Sequence, residues 1–266
     1  MPADHYAASG QRWALGAELV YRPIAAALVA SSPHRLSGRT VLDAGAGTGA
    51  ASAALQRGGA AVLAMDLSPG MLGWHASARP PCAVADIRAL PLRDNAVNDS
   101  VAAFVLNHLN EPVVGLRELA RVTAPGGAIL AAVFANDSTS AARDRIDAAA
   151  AAAGWQVPAW YRELKATTVP ILGTADTMGA AARAAGLVNA QADERQVDVG
   201  VTEPGQLVRY RLGQAAFAPW LDAIGPARAA SFADEAARAV GDRMSPYLPR
   251  VVFLSALSPG RRQRPM

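Results

Sequence analysis

Three aspartates in the first third of the chain each follow a short apolar run, and their carboxylates could bind one polar ligand. Asp43 ends the run VLD and is followed by glycine at positions 45, 47 and 49. Asp66 ends AVLAMD, and Asp86 follows AVA. Because the carboxyl ends of parallel strands meet at one edge of a sheet, we expect the three side chains to converge there.

The segment VLDAGAGTGAAS joins a predicted strand to a predicted helix through a turn with almost no side chains. Gly45, Gly47 and Gly49 let a ligand approach main-chain N–H groups at a helix N-terminus. The dinucleotide fingerprint would place its third glycine at position 50, which is Ala50. The carboxylate of Asp43 would repel a pyrophosphate but attract an ammonium group. The pattern therefore favours an adenosine cofactor that carries an amino acid, and disfavours a nicotinamide-dependent reductase.

Short apolar runs alternate with amphipathic stretches along the chain, which predicts an α/β fold with a parallel sheet covered on both faces. Five strands are predicted first, at 40–43, 61–65, 83–85, 101–106 and 128–134, and two more near 190–199 and 250–256. Helices are predicted at 50–57, from Pro69 after an N-cap at Ser68, from Asn110 to about 123, at 141–153, at 175–185 and within 203–243.

Four segments in this order resemble the class I S-adenosylmethionine-dependent methyltransferases, in particular the type 11-like subgroup that modifies small molecules. They are DAGAGTG, AVLAMDLSPGML, VADIRALPL, and FVLNHL followed by LRELARVTAPGGAIL. The resemblance covers residues 41–134 and implies a Rossmann-like, doubly wound, mostly parallel sheet with a helical lid. The one departure from the family pattern is Val97, Asn98 and Asp99 before the fourth strand, where phenylalanine and aspartate are frequent.

The resemblance implies S-adenosyl-L-methionine as cofactor, S-adenosyl-L-homocysteine as its product, and no metal. Asp66 would accept both ribose hydroxyls, and Leu67 and Met71 would flank the adenine. Asp86 would accept the adenine amino group, and the main chain of Ile87 would bind a ring nitrogen. The predicted cofactor-binding residues are Asp43, Ala44, Gly45, Ala46, Gly47, Gly49, Asp66, Leu67, Met71, Asp86, Ile87 and Phe104.

A sulfonium carries its own activation, so methyl transfer requires the protein mainly to align the acceptor for in-line displacement. An oxygen or nitrogen acceptor also needs a base, whereas the acceptor atom itself cannot be identified from the sequence. His108, just after the fourth strand, is the first candidate base, although it could simply hold the loop. Asn107 could orient the acceptor. Asp137, after the fifth strand, is a lesser candidate whose alternative role is a helix cap.

The predicted organisation has five parts. Residues 1–35 form an N-terminal lid segment, 36–136 the cofactor-binding core, and 137–202 the rest of the core with an inserted aromatic segment. Residues 203–245 form a helical lid over the substrate, and 246–266 the last strand and a basic tail. Aromatic residues concentrate in the lid segments, where they either line a pocket for a flat small molecule or pack the lid onto the sheet.

Composition restricts the partners that we expect. The net charge of +3 equals the three arginines of the tail GRRQRPM, so no basic surface is predicted to bind nucleic acid. One cysteine and four scattered histidines provide no zinc-ligand spacing, and Cys82 is expected to be buried. No apolar run predicts a membrane span or a signal peptide, so we expect a cytoplasmic protein. We expect it to be a monomer or a homodimer.

The predicted function is methylation of a small molecule in bacterial specialised metabolism. The alternatives are a protein that binds the same cofactor without transferring its methyl group, or an RNA or protein methyltransferase.

Overall fold

A single seven-stranded sheet organises the protein, and the computed structural model describes residues 4–260 of it. The strand order is β3-β2-β1-β4-β5-β7-β6. β1 to β5 are parallel, whereas β7 lies antiparallel between β5 and β6. The strands are β1 Thr40–Ala44, β2 Ala61–Asp66, β3 Cys82–Val84, β4 Asp99–Ala103, β5 Ala128–Phe134, β6 Val188–Gln196 and β7 Arg250–Leu257. The predicted fold class is confirmed.

Helices cover both faces of the sheet. They are α1 Gly10–Arg12, α2 Glu18–Ala30, α3 Ala50–Arg57, α4 Pro69–Leu72, α5 Pro112–Val122, α6 Ala141–Ala152, α7 Ala159–Thr167, α8 Ala175–Ala184, α9 Pro204–Leu212, α10 Ala218–Ile224 and α11 Pro226–Val240. A π-helical turn, Trp13–Ala17, joins α1 to α2. The predicted start of α4 is confirmed, because Ser68 accepts a hydrogen bond from the Met71 amide and Pro69 occupies the first turn.

β1 shows why the sheet is covered on both faces. Val41 and Leu42 are consecutive and therefore point to opposite faces, yet neither is exposed to solvent. Val41 belongs to the core beneath α2 and α3, which includes Ile24 and Leu55. Leu42 belongs to the core on the other face, which includes Leu116 of α5. A strand buried on both faces reads as a continuous apolar run, and this made β1 and β5 predictable.

One helical stretch within residues 4–260, Gly10–Ala30, has the length and apolar composition of a membrane-spanning helix. Charged residues such as Glu18 and Arg22 interrupt its apolar residues, so no continuous apolar run predicts it. Its residues Val20, Ile24 and Leu28 are fully buried in the core beside the sheet. Glu18 on the same stretch is buried and hydrogen-bonded to Thr48 of the glycine-rich turn. These contacts make the stretch a core helix of this fold.

Several predicted boundaries require correction. The fourth strand ends at Ala103 and not at residue 106, because the chain turns at Phe104 and continues as a short 3-10 helix, Leu106–His108. α5 begins at Pro112, which fixes the first helical turn, and not directly after Asn110. Cys82 is exposed on the short strand β3, so the expectation that it is buried was wrong.

Residues after β5 pack against the segment 203–245, which is predicted to form a helical lid. α6 packs against α9 and α11. Trp155, just after α6, stacks on Phe217 with ring centroids 4.0 Å apart, and its indole N–H donates to the carbonyl of Ala216. Residues 137–167 and 203–243 therefore share one apolar core. The tail arginines at 261, 262 and 264 lie outside the described residues.

Candidate active site

The glycine-rich turn after β1 needs glycine for two physical reasons. Gly45, Gly47 and Gly49 have φ angles of +72°, +52° and +104°, which other L-residues rarely adopt. A Cβ on Gly45 would also lie 2.4 Å from the Cβ of Val105, so any side chain there would clash. Ala44 and Ala46 flank the first glycine and are buried. The turn thus presents bare main chain at the start of α3, as predicted.

Asp66, at the end of β2, holds this turn in place. Its two carboxylate oxygens each accept a main-chain hydrogen bond of 2.8 Å, one from Gly47 and one from Ser68. Burial raises the pKa of Asp66, while the two amide donors oppose that shift. Each oxygen retains a second lone pair, so the carboxylate can still accept hydrogen bonds from a ligand hydroxyl.

Asp43, at the end of β1, is fully buried, and only one of its two carboxylate oxygens accepts a hydrogen bond. The hydroxyl of Ser52 donates to its Oδ2 at 2.6 Å, whereas Oδ1 has no partner among the described residues. Burial raises the pKa of Asp43 to about 6, against the lowering effects of Ser52 and Arg79. An unsatisfied buried carboxylate is unfavourable unless a ligand donor completes it. Its position just before the glycine-rich turn fits a cofactor with an ammonium group.

Arg79 is a residue of this site that the sequence analysis missed. Its Nη1 donates to the carbonyls of Gly47 and Met71, at 2.8 and 3.2 Å. Its Nε and Nη2 are buried and have no partner within residues 4–260. The side chain therefore ties the end of α4 to the glycine-rich turn and keeps two free donors. No sequence signal marks it, because both of its partners are main-chain oxygens distant in sequence.

The predicted adenine-binding residues differ in their surroundings. Met71 and Ile87 are buried, whereas Leu67 is 45% exposed beside the end of β2. Asp86 is bound by Arg88 through its Nε and Nη2 atoms, and Arg88 lowers the pKa of that carboxyl. A contact between Asp86 and adenine would therefore have to share oxygens with the Arg88 ion pair. The contacts of all four residues with a cofactor remain predictions.

The candidate catalytic residues lie on the short 3-10 helix after β4. His108 is exposed to solvent on one side, and the protein packed around its ring lowers the pKa of His108 by desolvation. Its imidazole is therefore neutral at pH 7 and able to accept a proton or a hydrogen bond. The Oδ1 atom of Asn107 is buried without a partner in the described part of the chain. Both residues thus keep unused hydrogen-bonding capacity where the sheet ends.

Half-buried aromatic rings, here called the aromatic wall, form a chain of ring contacts beside His108. Its members are Tyr6, Trp13, Tyr21, Phe104, Phe134 and Trp160. Tyr21 meets Phe104 edge-on at 4.8 Å, and Phe104 lies 4.7 Å from Phe134. The φ angle of Phe104 is +60°, a conformation rare outside glycine and frequent at functional sites. Through its contacts with Tyr21 and Phe134, Phe104 belongs to the aromatic wall. Its predicted contact with the cofactor remains a prediction.

The N-terminal segment, residues 4–9, lies across the site. Tyr6 is edge-on to His108 with ring centroids 5.7 Å apart, and His5 stacks on Trp160 at 4.6 Å. The carbonyl of Ala7 approaches α4 so closely that a Cβ on Gly70 would lie 1.9 Å from it. This segment thus bridges the cofactor side of the sheet edge and the acceptor side.

Asp137 has a different environment. It forms an ion pair with Arg250 of β7 at 3.1 Å, and its side chain is 61% exposed. The alternative role as cap of α6 was wrong, because Ser140 is the N-cap and accepts a hydrogen bond from the Arg143 amide. Across residues 4–260 no group of three or more histidine, cysteine or acidic side chains could hold a metal ion.

Strand order and the glycine-rich turn, with Asp43 and Asp66 at the ends of β1 and β2, are those of a Rossmann-like domain. Residues 42–131 match the model of the methyltransferase-domain family. Over these residues the chain is similar to the methyltransferase domain, which confirms the resemblance seen in the sequence. The predicted lid segments, 1–35 and 203–245, lie outside the matched residues.

Curated relatives match part of the chain. The demethylmenaquinone methyltransferase of Renibacterium salmoninarum is 38% identical over 111 residues, which are 41% of this chain and 47% of that protein. The chain therefore spans about half the length of the curated relatives it matches.

Two solved structures share the fold over most of the chain. Phosphoethanolamine N-methyltransferase 2 of Haemonchus contortus, in complex with S-adenosyl-L-methionine, aligns with a TM-score of 0.55 and 17% identity over 89% of this chain and 52% of that one. The (4+2)-cyclase SpnF aligns with a TM-score of 0.54 and 20% identity over 90% of this chain and 80% of that one.

Proposed function

We propose that this protein transfers the methyl group of S-adenosyl-L-methionine to a small-molecule acceptor. The observation that carries the proposal is the buried Asp43, just before the glycine-rich turn, whose Oδ1 has no hydrogen-bond partner within residues 4–260. A cofactor ammonium would complete that carboxylate, and Asp66 could accept the ribose hydroxyls. The free donors of Arg79 fit the acceptor-rich tail of the same cofactor.

When bound, S-adenosyl-L-methionine supplies a methyl group already activated by a sulfonium. The chain's own residues would then orient the acceptor and exclude water. His108 would take the proton of an oxygen or nitrogen acceptor, and Asn107 would accept a hydrogen bond from it. The aromatic wall would hold a flat or apolar body beside these two residues. The curated relatives are demethylmenaquinone methyltransferases, so a hydroxylated naphthalene is the first acceptor class to test, within bacterial specialised metabolism.

Cofactor binding is tested by calorimetry with S-adenosyl-L-homocysteine. We expect Asp66→Ala to weaken binding by about a hundredfold, because two hydrogen bonds to a half-buried carboxylate would be lost. Asp94→Ala is the matched control, since Asp94 is 72% exposed and pairs with Arg121. Equal affinities for the two folded variants would remove the ribose assignment of Asp66.

The role of His108 is tested separately with labelled methyl donor and mass spectrometry of the products. His108→Ala should lower the rate of methyl transfer at least about tenfold, as loss of a general base does. Its affinity for S-adenosyl-L-homocysteine should stay within about twofold of the wild-type value. Unchanged turnover would exclude His108 as the base.

A second candidate is a protein that binds the cofactor without transferring its methyl group. The fold likeness to the (4+2)-cyclase SpnF favours keeping it, because the same architecture serves a different reaction there. Release of S-adenosyl-L-homocysteine during product formation supports methyl transfer, whereas product formation without it supports the second candidate.

A further inference from the structure

We propose that the lid binds an anionic group of the acceptor through Arg143, Arg211 and Lys165, grouped around Tyr161, so that the substrate is an aromatic carboxylic acid. The inference rests on the proposed function and specifies its substrate class. None of these four residues belongs to the cofactor-binding core, and none was singled out by a motif.

Arg211 of α9 anchors the group. It is 5% exposed and forms a two-point ion pair with Asp147 of α6, with both distances 2.7 Å. Its Nη1 also donates to the hydroxyl of Tyr161 at 3.4 Å, and its guanidinium lies 4.9 Å from the centre of the Phe217 ring. Arg211 is thus neutralised by Asp147 and held rigid, and it fixes the position of the Tyr161 hydroxyl.

Arg143 supplies the charge that is not neutralised. It lies one helical turn before Asp147 on α6, and therefore on the same face. Its Nη1 donates to the Tyr247 hydroxyl at 3.5 Å and its Nη2 to the Ser138 carbonyl at 3.1 Å. Within residues 4–260, no carboxylate lies within 4.0 Å of Arg143. A half-buried guanidinium with neutral partners alone is stabilised by an incoming carboxylate, to which it can donate two parallel hydrogen bonds.

Tyr161 of α7 experiences the combined charge. Burial alone would raise the pKa of Tyr161, but Arg211, Lys165 and Arg143 outweigh burial and lower it. Lys165, the only lysine in the chain, lies one turn further along α7 at the solvent edge of the group. The Arg211 guanidinium binds the Tyr161 hydroxyl, and Lys165 follows Tyr161 by one helical turn. Asp147, one turn after Arg143, pairs with Arg211 and is the single acid paired with any of these three cations among the described residues.

The cationic group and the candidate catalytic residues share one wall. Trp160 lies 5.5 Å from Tyr161 and 6.0 Å from Tyr6, and Tyr6 lies 5.7 Å from His108. Continuous ring contacts thus run from the proposed base to the cations. A molecule with a nucleophilic end, a flat body and a carboxylate would place these three parts, in that order, beside His108, the aromatic rings and the cations. Demethylmenaquinone lacks the last feature.

The test uses the full chain saturated with S-adenosyl-L-homocysteine and two probes, 1-hydroxy-2-naphthoate and its neutral analogue 1-hydroxy-2-naphthamide. We expect the acid to bind at least about tenfold more tightly than the amide, a difference typical of a charge-assisted hydrogen bond. Arg143→Gln should abolish that preference without changing the affinity for the amide, and Arg143→Lys should restore part of it. Arg162→Gln is the control, because Arg162 is an exposed cation on the same helix as Tyr161.

Three results would overturn the inference. They are equal binding of acid and amide, no measurable binding of the acid, or an equal loss of preference in Arg143→Gln and Arg162→Gln. Binding of S-adenosyl-L-homocysteine is measured in the same samples. If S-adenosyl-L-homocysteine does not bind, the proposed function is wrong. If it binds but the protein does not prefer the acid to the amide, only the anionic-substrate inference is wrong.

Discussion

Two buried aspartates at opposite edges of the sheet have contrasting environments. Asp99 begins β4 at the amino edge and accepts hydrogen bonds from His34, from the Ala128 amide and from the two-point ion pair with Arg39. Burial alone would raise the pKa of Asp99, but these partners outweigh it and hold the pKa below its usual value. Asp43, at the carboxyl edge, has one donor and a pKa raised to about 6 by burial.

The difference separates a structural acid from a ligand-binding acid. Both carboxylates are almost fully buried, so burial alone does not distinguish them. What distinguishes them is whether the chain supplies the hydrogen-bond donors. Asp99 receives all its donors from the fold, whereas Asp43 leaves one oxygen for a donor that the described chain does not contain. The following three predictions test this contrast.

Removing Asp99 should have the largest effect. Asp99→Ala would leave Arg39 without its counter-charge and the Ala128 amide without its acceptor, at a cost of about 3 to 5 kcal/mol in the free energy of unfolding. Urea denaturation measures this change. Affinity of the remaining folded protein for S-adenosyl-L-homocysteine should stay within about twofold, because Asp99 lies at the far edge. A loss below about 1 kcal/mol would contradict the structural role.

Asp43→Asn should act in the opposite direction on stability. The raised pKa means that the ionised carboxylate destabilises the ligand-free fold at pH 7, so the neutral amide should raise the free energy of unfolding by about 2 to 3 kcal/mol. This advantage should shrink as the pH falls from 6 to 4, because the wild-type carboxyl then binds a proton in the folded state. The same variant should bind S-adenosyl-L-homocysteine more weakly. A variant that is less stable than wild type at pH 7 would contradict this assignment.

The smallest effect is expected on the pH dependence of cofactor affinity. Between pH 7 and pH 5 the wild-type affinity for S-adenosyl-L-homocysteine should fall by about tenfold, because protonation of Asp43 near pH 6 removes its attraction for the ammonium. Calorimetry across this range measures the slope. In Asp43→Asn the slope should be absent; a persistent slope would assign the titration to another group.

The sequence predicted the core closely because its signals there are local. β5 and α3 have the predicted bounds, since an apolar run buried on both faces and a glycine before a helix are visible within a few residues. Asp43 and Asp66 were predicted to converge because topology alone brings parallel strand ends together. The end of β4 was predicted poorly, since the apolar residues after Ala103 continue the strand pattern while Phe104 reverses the chain.

The rest of the site depends on contacts between distant segments, which a single sequence does not reveal. Arg79 contacts main-chain carbonyls, and Arg143 contacts the Tyr247 hydroxyl more than a hundred residues away. Asp99 was noted only as a departure from the family pattern, although Arg39 and His34 make it a structural centre of the amino edge. No local sequence pattern marks such residues, and only the fold brings them together.

The place of β7 in the sheet has a consequence for how the protein is made. β7 lies between β5 and β6 and pairs with both, although it follows them in the chain. Until residues 250–257 have been synthesised, each of those strands keeps an open edge with unpaired main-chain groups, the kind of surface on which nascent chains aggregate. Interruption of translation shortly before β7 should therefore yield an aggregation-prone, chaperone-dependent product instead of a smaller folded protein.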